Sequence, residues 1–149
     1  MKVLFDTNVV LDVLLDREPH VDVAAKLLAL VDNARLEGSI CATTVTTIYY
    51  IAAKSFGRRR AHSQVHGLLA LFEIAPVDRA VLDRALDLDF TDFEDAVLHE
   101  AARTTGAAAI VTRDGVDFAN ATLPIFDPRE LLAAVAAASG QSDAGADSP

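Results

Sequence analysis

The distribution of apolar and polar residues predicts short buried strands that alternate with amphipathic helices. Five short, mainly apolar runs, too short for typical helices, predict strands: KVLF, SICAT, EIAPV, AAIVT and LPIF. Between them, apolar residues recur at helical spacing. This periodicity predicts helices over about residues 8–15, 20–37, 46–56, 58–72, 78–88, 92–105 and 127–138.

Residues that commonly begin or end helices support several of these boundaries. Asp78, Asp92 and Asp127 stand where side chains cap helix N-termini, and Gly38 and Gly106 stand where glycines end helices. Strands that alternate with helices are typical of an α/β fold, in which a mostly parallel central sheet is covered by helices on both faces. We predict one domain over residues 1–138. The final segment, residues 139–149 (SGQSDAGADSP), has little apolar content and is predicted to be a disordered tail.

Composition and charge narrow the class of protein. The chain has 149 residues, 52% of them hydrophobic, and a formal net charge of -9, which disfavours nucleic-acid binding by overall charge but allows a local basic patch. The single cysteine, Cys41, excludes an intramolecular disulfide. The opening MKVLFDTN lacks the apolar region of a signal peptide, and no run approaches the ~20 apolar residues that span a bilayer. We therefore expect a cytoplasmic protein that does not associate with membranes.

Acidic residues follow strand ends or open helices at three places. Asp6 follows the first strand, a group of acids opens the helix near residue 92, and further acids follow the strand AAIVT: Asp92, Glu94, Asp95, Asp114 and Asp117. Because ligands of parallel sheets bind beyond the carboxyl ends of the strands, we expect these side chains to converge. Such a cluster repels itself unless a cation neutralises it, and oxygen ligands suit Mg²⁺ or Mn²⁺. Taken singly, Asp92 or Asp95 could simply complement a helix dipole, and Asp114 is a natural turn residue.

Four segments together resemble the PIN domain family of metal-dependent ribonucleases, which includes the VapC-type toxins of bacterial toxin–antitoxin pairs. They are VLFDTNVVLD, FEDAVLHEAARTTGA, AIVTRDGVDF and LPIFDPRELL, and the resemblance covers about residues 2–135. It implies a three-layer α/β sandwich and hydrolysis of RNA phosphodiesters with one or two Mg²⁺ or Mn²⁺ ions. It further implies a cognate antitoxin and a homodimer. The implied catalytic metal ligands are Asp6, Asp95 and Asp114 or Asp117, with Asp92 as an additional ligand.

One corner of the implied site departs from the family pattern. The family usually carries a Glu after the second strand, in the pattern Ser-x-x-Thr-x-x-Glu. Here TTVTTIYYI places Tyr49 at that position, so the chain resembles a branch that lacks this Glu, and Thr47 is expected to occupy the corner. The resemblance also implies that Asn8 and Thr112 orient metal ligands or water.

Positive charge is concentrated in one run. KSFGRRRAH contains Lys54 and three consecutive arginines, and Arg113 lies beside the last acidic loop. We expect Lys54, Arg58, Arg59, Arg60 and Arg113 to contact RNA phosphates. Alternatively, the run KSFGRRRAH does not bind RNA and is simply the solvent-exposed end of a helix. His99 has no second His or Cys at metal-ligand spacing and is expected to be at the surface or partly buried.

Two other functions are compatible with parts of the sequence. A haloacid-dehalogenase-like phosphohydrolase also begins with a strand and an Asp, but it needs a second Asp where Asn8 stands and a Lys before the last acidic loop. A non-catalytic PIN-like module that binds RNA or a protein partner is the other alternative, because the usual Glu is missing.

Overall fold

The central feature of the structure, a computed structural model, is a five-stranded parallel sheet with the order β3-β2-β1-β4-β5. The structure describes residues 1–146, and side chains as far as residue 140. The strands are β1 (Lys2–Phe5), β2 (Glu37–Cys41), β3 (Glu73–Ala75), β4 (Ala109–Val111) and β5 (Ile125–Phe126). All five lie within or next to the runs predicted as strands. The N-terminal strand β1 is central, and its neighbours are β2 and β4.

Helices connect the strands. They are α1 (Thr7–Leu14), α2 (Val21–Asp32), α3 (Ala42–Phe56), α4 (Arg58–Leu71), α5 (Arg79–Leu86), α6 (Phe93–Thr104) and α7 (Pro128–Ala146), with a 3-10 helix at Gly115–Phe118. The predicted caps are present at Asp78, Asp92 and Asp127, each of which accepts a hydrogen bond from a backbone N–H two or three residues into its helix. Over residues 1–146, none of these helices combines the length and apolar character needed to cross a membrane.

The two faces of the sheet carry separate hydrophobic cores. Val3 and Phe5 of β1 belong to one core with apolar residues of α1, α2, α3, α4 and α7, whereas Leu4 points into the other with residues of α5 and α6. This alternation follows from the two-residue period of strand side chains. The predicted three-layer α/β sandwich with a parallel sheet is therefore confirmed, and both faces are covered.

Gly38 does not end a helix, so the prediction for the end of α2 was wrong. The helix ends at Asp32, and Ala34 turns the chain with a φ of 58° before β2 begins at Glu37. A Cβ added to Gly38 would lie 2.8 Å from Val31 Cγ2 and 2.9 Å from Phe72 Cε1. The glycine therefore allows α2 and the chain before β3 to approach the strand closely, which a sequence pattern cannot distinguish from a helix stop.

Two other helices, α3 and α7, also differ in extent from their predicted ranges. α3 begins at Ala42, directly after β2, rather than near Thr46. α7 continues to Ala146 through part of the segment expected to be disordered, and Arg35 Nη2 donates a hydrogen bond of 2.6 Å to Ser139 Oγ. Residues 147–149 of the predicted tail lie outside the described residues. The domain boundary at residue 138 stays a prediction.

A candidate acidic active site

The acidic residues found in the sequence lie around one cleft of about 290 Å³ at the carboxyl edge of the sheet. All six acids line it, together with residues of α1, α3 and α6 and with Arg17 from the chain after α1. Its lining consists of Asp6, Thr7, Asn8, Leu11, Arg17, Thr47, Ile51, Asp92, Glu94, Asp95, Leu98, Asp114 and Asp117. The convergence expected from the sequence is thus present, and neither Asp114 nor Asp117 is excluded from the cleft.

Asp6 is held in place by both of its carboxylate oxygens. The pairing of β1 with β4 sets Phe5 opposite Val111, so that Asp6 and Thr112 leave the sheet side by side. Thr112 Oγ1 donates a 2.7 Å hydrogen bond to Asp6 Oδ2, and the backbone N–H of Thr7 donates one of 2.7 Å to Asp6 Oδ1. Asp6 therefore caps α1 and lines the cleft at the same time, while its role as a metal ligand stays a prediction.

Asn8 and Thr112 connect Asp6 to the loop after β4. Asn8 Nδ2 donates a 3.0 Å hydrogen bond to Asp114 Oδ2, and the backbone N–H of Asp114 donates one of 3.0 Å to Thr112 Oγ1. The Thr112 hydroxyl thus accepts from one acidic residue and donates to another. These contacts place both residues where they can orient acidic ligands, while their part in binding a metal stays a prediction.

The first turn of α6 brings a second set of acids to the cleft. Asp92 Oδ1 accepts a 3.1 Å hydrogen bond from the backbone N–H of Asp95, as a capping residue does. Glu94 and Asp95 follow in the first turn, where the helix dipole favours negative charge. Asp117 approaches from the 3-10 helix on the other side.

Burial in this cleft, together with neighbouring negative charge, raises the pKa of two carboxyl groups, those of Asp95 and Asp6. Burial raises the pKa of Asp95 to about 7, and the negative charges of Asp6, Asp92, Asp117 and Glu94 contribute in that order. Burial also raises the pKa of Asp6, although the hydrogen bonds from Thr112 and from the Thr7 backbone act in the opposite direction. The cleft is therefore a strongly negative site in which a bound cation would relieve repulsion.

We expect the metal-free protein to lose stability as the pH rises through the neutral range. The folded-state pKa of Asp95 is about 7 and the ordinary value is 3.8, so its stabilising contribution is fully present below pH 3.8 and is lost as the pH rises through about 7. The measurement is the melting temperature in EDTA between about pH 5 and pH 8 for the wild type and Asp95→Asn. The wild type should lose melting temperature relative to Asp95→Asn across this range. A constant difference between the two proteins would contradict the expectation.

The donor chemistry of the cleft fits a hard divalent cation. Every candidate ligand is a carboxylate or another oxygen, which is the donor set that Mg²⁺ and Mn²⁺ prefer. Within the residues that the structure describes, no three His, Cys, Asp or Glu side chains are already gathered around one metal position. A cation would therefore have to draw the carboxylates closer together, and the selection of Asp6, Asp95 and Asp114 or Asp117 as its ligands stays a prediction.

Thr47 lies on the cleft, and Tyr49 is not among the lining residues. The Thr47 hydroxyl donates a 3.1 Å hydrogen bond to the backbone carbonyl of Thr43, which leaves its oxygen lone pairs as acceptors. Beside it on α3, Ile51 also lines the cleft. On the α3 side the cleft is thus lined by a neutral hydroxyl and an apolar side chain, and the expectation that Thr47 occupies the corner of the usual Glu stays a prediction.

Arg113 is engaged with a buried acid rather than free to meet a phosphate. Arg113 Nε lies 2.6 Å from Asp12 Oδ2 and its Nη2 lies 3.1 Å from Asp12 Oδ1, and Arg17 Nη1 approaches Asp12 Oδ1 at 3.8 Å. Asp12 is completely buried in α1. RNA contact by Arg113 stays a prediction, but the structure gives it a different role, which is to fix the loop after β4 against α1.

Sequence reasoning missed Asp12 and misjudged His99. An acid inside the apolar stretch NVVLDVLL was the available signal for Asp12, because a buried carboxylate requires a cationic partner. The expectation that His99 lies at the surface or is partly buried was wrong, since its side chain is completely buried in α6.

The other basic residues predicted to bind RNA, Lys54, Arg58, Arg59 and Arg60, are exposed and do not line the cleft.

Comparison with known sequences gives one family and one curated relative. A family model described as PIN domain matches residues 2–115. Ribonuclease VapC1 of Aquifex aeolicus (strain VF5) is 24% identical over 118 residues, which is 76% of this chain and 81% of the relative.

Solved structures with the same fold cover most of the chain. FitAcB from Neisseria gonorrhoeae superposes with a TM-score of 0.68 at 20% sequence identity, over 85% of this chain and 98% of that one. VapBC2 from Rickettsia felis, bound to a DNA fragment from its promoter, superposes with a TM-score of 0.65 at 17% identity, over 85% and 98%. A toxin–antitoxin complex from Klebsiella pneumoniae gives a TM-score of 0.65 at 22% identity, over 85% and 97%. At these identities the likeness shows a shared fold.

Proposed function

Because the chain belongs to the PIN domain family, we propose that it is a divalent-metal-dependent endoribonuclease and the toxin of a toxin–antitoxin pair. The observation that carries the proposal is the convergence of six acids from three separate parts of the chain on one cleft. A structural role explains a capping Asp, but it does not explain why capping, first-turn and loop acids crowd together against their own repulsion. A site that binds cations explains the crowding.

In the proposed reaction, Asp6, Asp95 and Asp114 or Asp117 hold one or two Mg²⁺ or Mn²⁺ ions, with Asp92 as an additional ligand. When bound, the ions supply an activated water and stabilise the leaving oxygen of the RNA phosphodiester. Thr112 and the Thr7 N–H fix the orientation of the Asp6 carboxylate, and Asn8 fixes that of Asp114. Where the family usually carries a Glu after the second strand, the Thr47 hydroxyl would be the available oxygen ligand.

We further propose that RNA is held outside the cleft by the exposed basic run between α3 and α4. Lys54 stands in the last turn of α3, and Arg58, Arg59 and Arg60 open α4 after Gly57, whose φ of 88° lets the chain turn between the helices. Arg60 stacks on Phe56, with its Cζ 4.1 Å from the ring centroid. This surface supplies local positive charge in an acidic chain, as phosphate contact requires.

We also propose that the chain has an antitoxin partner. The similar structure from Klebsiella pneumoniae is a toxin–antitoxin complex, and it supports this part of the proposal. A homodimer and a cytoplasmic location belong to the same proposal. The phosphodiester to be cut would have to enter a negative cleft, so we expect an occupied metal site to be required for this step, although the basic run could hold the rest of the RNA without it.

The proposal is tested by incubating the purified protein with single-stranded RNA. Cleavage is expected with Mg²⁺ or Mn²⁺ and is expected to cease in EDTA. Two other outcomes would each contradict it. RNA binding without cleavage would favour the non-catalytic module, and release of phosphate from small phosphomonoesters without RNA cleavage would favour a phosphohydrolase.

A further inference from the structure

We propose that His99 is a positioning residue that fixes the acidic loop after β4 against the acidic helix α6. The inference rests on the proposed function, because the two elements it joins carry the proposed metal ligands. Asp95 lies one turn before His99 on α6, and Asp114 and Asp117 lie in the loop. The side chain of His99 is completely buried, and His99 is not among the residues that line the cleft.

The hydrogen bonds of His99 define its tautomer. The backbone N–H of Thr122 lies 3.1 Å from His99 Nε2 and can only donate, so Nε2 is the unprotonated nitrogen. Nδ1 therefore carries the proton and donates it to Glu100 Oε2 at 2.9 Å. The neutral imidazole bridges a backbone N–H of the loop and a carboxylate of the helix, and it does so in one orientation.

Glu100 keeps this orientation fixed. Its side chain is almost completely buried, and Oε1 lies 3.2 Å from Arg103 Nη1 and 3.6 Å from Arg84 Nε. Two guanidinium groups thus balance the carboxylate, which remains an acceptor for the His99 Nδ1–H. A carboxylate behind a histidine fixes which nitrogen is protonated and how the ring is turned, as it does behind histidines in metal sites.

The contact at Thr122 closes the loop that contains Asp114 and Asp117. Nearby contacts hold the same segment. The Phe90 ring lies 5.4 Å from the His99 ring and 5.9 Å from that of Phe118, which directly follows Asp117. Asn120 Nδ2 also donates a 2.6 Å hydrogen bond to the backbone carbonyl of Asp89. The imidazole is the point where this loop is hydrogen-bonded to α6, so its loss should loosen the loop acids relative to Asp95.

Two substitutions separate this role from simple core packing. His99→Gln places an amide oxygen where Nε2 stands and retains an acceptor for the Thr122 N–H. His99→Asn places its amide near Nδ1, so it keeps a partner for Glu100 but loses the contact to the loop. Both remove the ring, so both should lower the melting temperature by comparable amounts.

Two measurements are made on the wild type and both variants: Mn²⁺ affinity by calorimetry, and amide hydrogen exchange at Asp117 and Thr122. We expect His99→Asn to bind Mn²⁺ about 10-fold or more weakly than His99→Gln, in the range seen when groups behind metal ligands are removed. We also expect the two amides to exchange faster in His99→Asn than in His99→Gln.

Equal exchange in the two variants would overturn the inference, whatever the metal affinities. Absence of Mn²⁺ binding by the wild type would instead contradict the proposed function, while the exchange data would still test the position of the loop. If His99→Asn does not fold, Thr122→Pro removes the same N–H from the loop side, together with the hydroxyl that lies 3.3 Å from His99 Nε2, and leaves the imidazole in place. Normal exchange at Asp117 in that variant would then overturn the inference.

Discussion

Replacing Asp6 with Asn is expected to reduce the rate of RNA cleavage by about 100-fold or more, which corresponds to roughly 3 kcal/mol of activation free energy. Asp6 lies between the acids of the β4 loop and those of α6, and both of its oxygens are already oriented by hydrogen bonds. The amide keeps the size of the side chain but removes the negative charge that a cation requires. The measurement is single-turnover cleavage of RNA at saturating Mn²⁺.

The stability of Asp6→Asn distinguishes loss of chemistry from loss of folding. Since burial raises the pKa of the Asp6 carboxyl, its ionised form is disfavoured in the metal-free protein. The variant should therefore melt no earlier than the wild type at neutral pH in EDTA. Asp83→Asn is the matched control, because Asp83 forms an exposed pair with Arg79 on α5 and does not line the cleft. Cleavage by Asp6→Asn at the rate of this control would rule out Asp6 as a metal ligand.

Replacing Asp12 with Ala is expected to lower the free energy of unfolding by about 3–5 kcal/mol, the range for breaking a buried ion pair. The Asp12 carboxylate is completely buried and accepts two hydrogen bonds from Arg113, so its removal leaves a guanidinium without its partner. The measurement is equilibrium unfolding in urea.

A double variant separates the stability of this pair from its effect on the site. Asp12→Leu combined with Arg113→Met replaces both charges by apolar groups and should recover most of the lost stability. The double variant does not restore the ion pair that fixes the chain between Thr112 and Asp114. We therefore expect both Asp12→Ala and the double variant to cleave RNA more slowly than the wild type. A double variant that is as active as the wild type would show that the ion pair contributes only to folding.

The parts of this molecule that depend on local pattern were predictable from the sequence. The strands are short, mainly apolar runs, and capping residues such as Asp78 and Asp127 mark helix starts directly. The gathering of the acids also followed, because a parallel sheet brings the carboxyl ends of its strands to one edge. The family pattern then supplied the expected ligands, whose roles await measurement.

The parts that depend on distant contacts were not predictable. Gly38 looks like a helix stop, because nothing nearby in the sequence reveals that Phe72 approaches it. His99 looks like an ordinary helical residue, because its partner Thr122 lies 23 positions away. Arg113 looks like a phosphate ligand until its buried partner is known, and that partner lies 101 positions earlier.

The position of β1 in the sheet has a consequence for the order in which the protein is made. This first strand is central, and its neighbour β4 is among the last elements of the domain to leave the ribosome. The hydrogen bond from the Thr112 hydroxyl to Asp6, and the one from Asn8 to Asp114, can form only when β4 has docked beside β1. A nascent chain that ends before Ala109 therefore has four of the six cleft acids but lacks Asp114 and Asp117, and the cleft is complete only after nearly the whole domain has emerged.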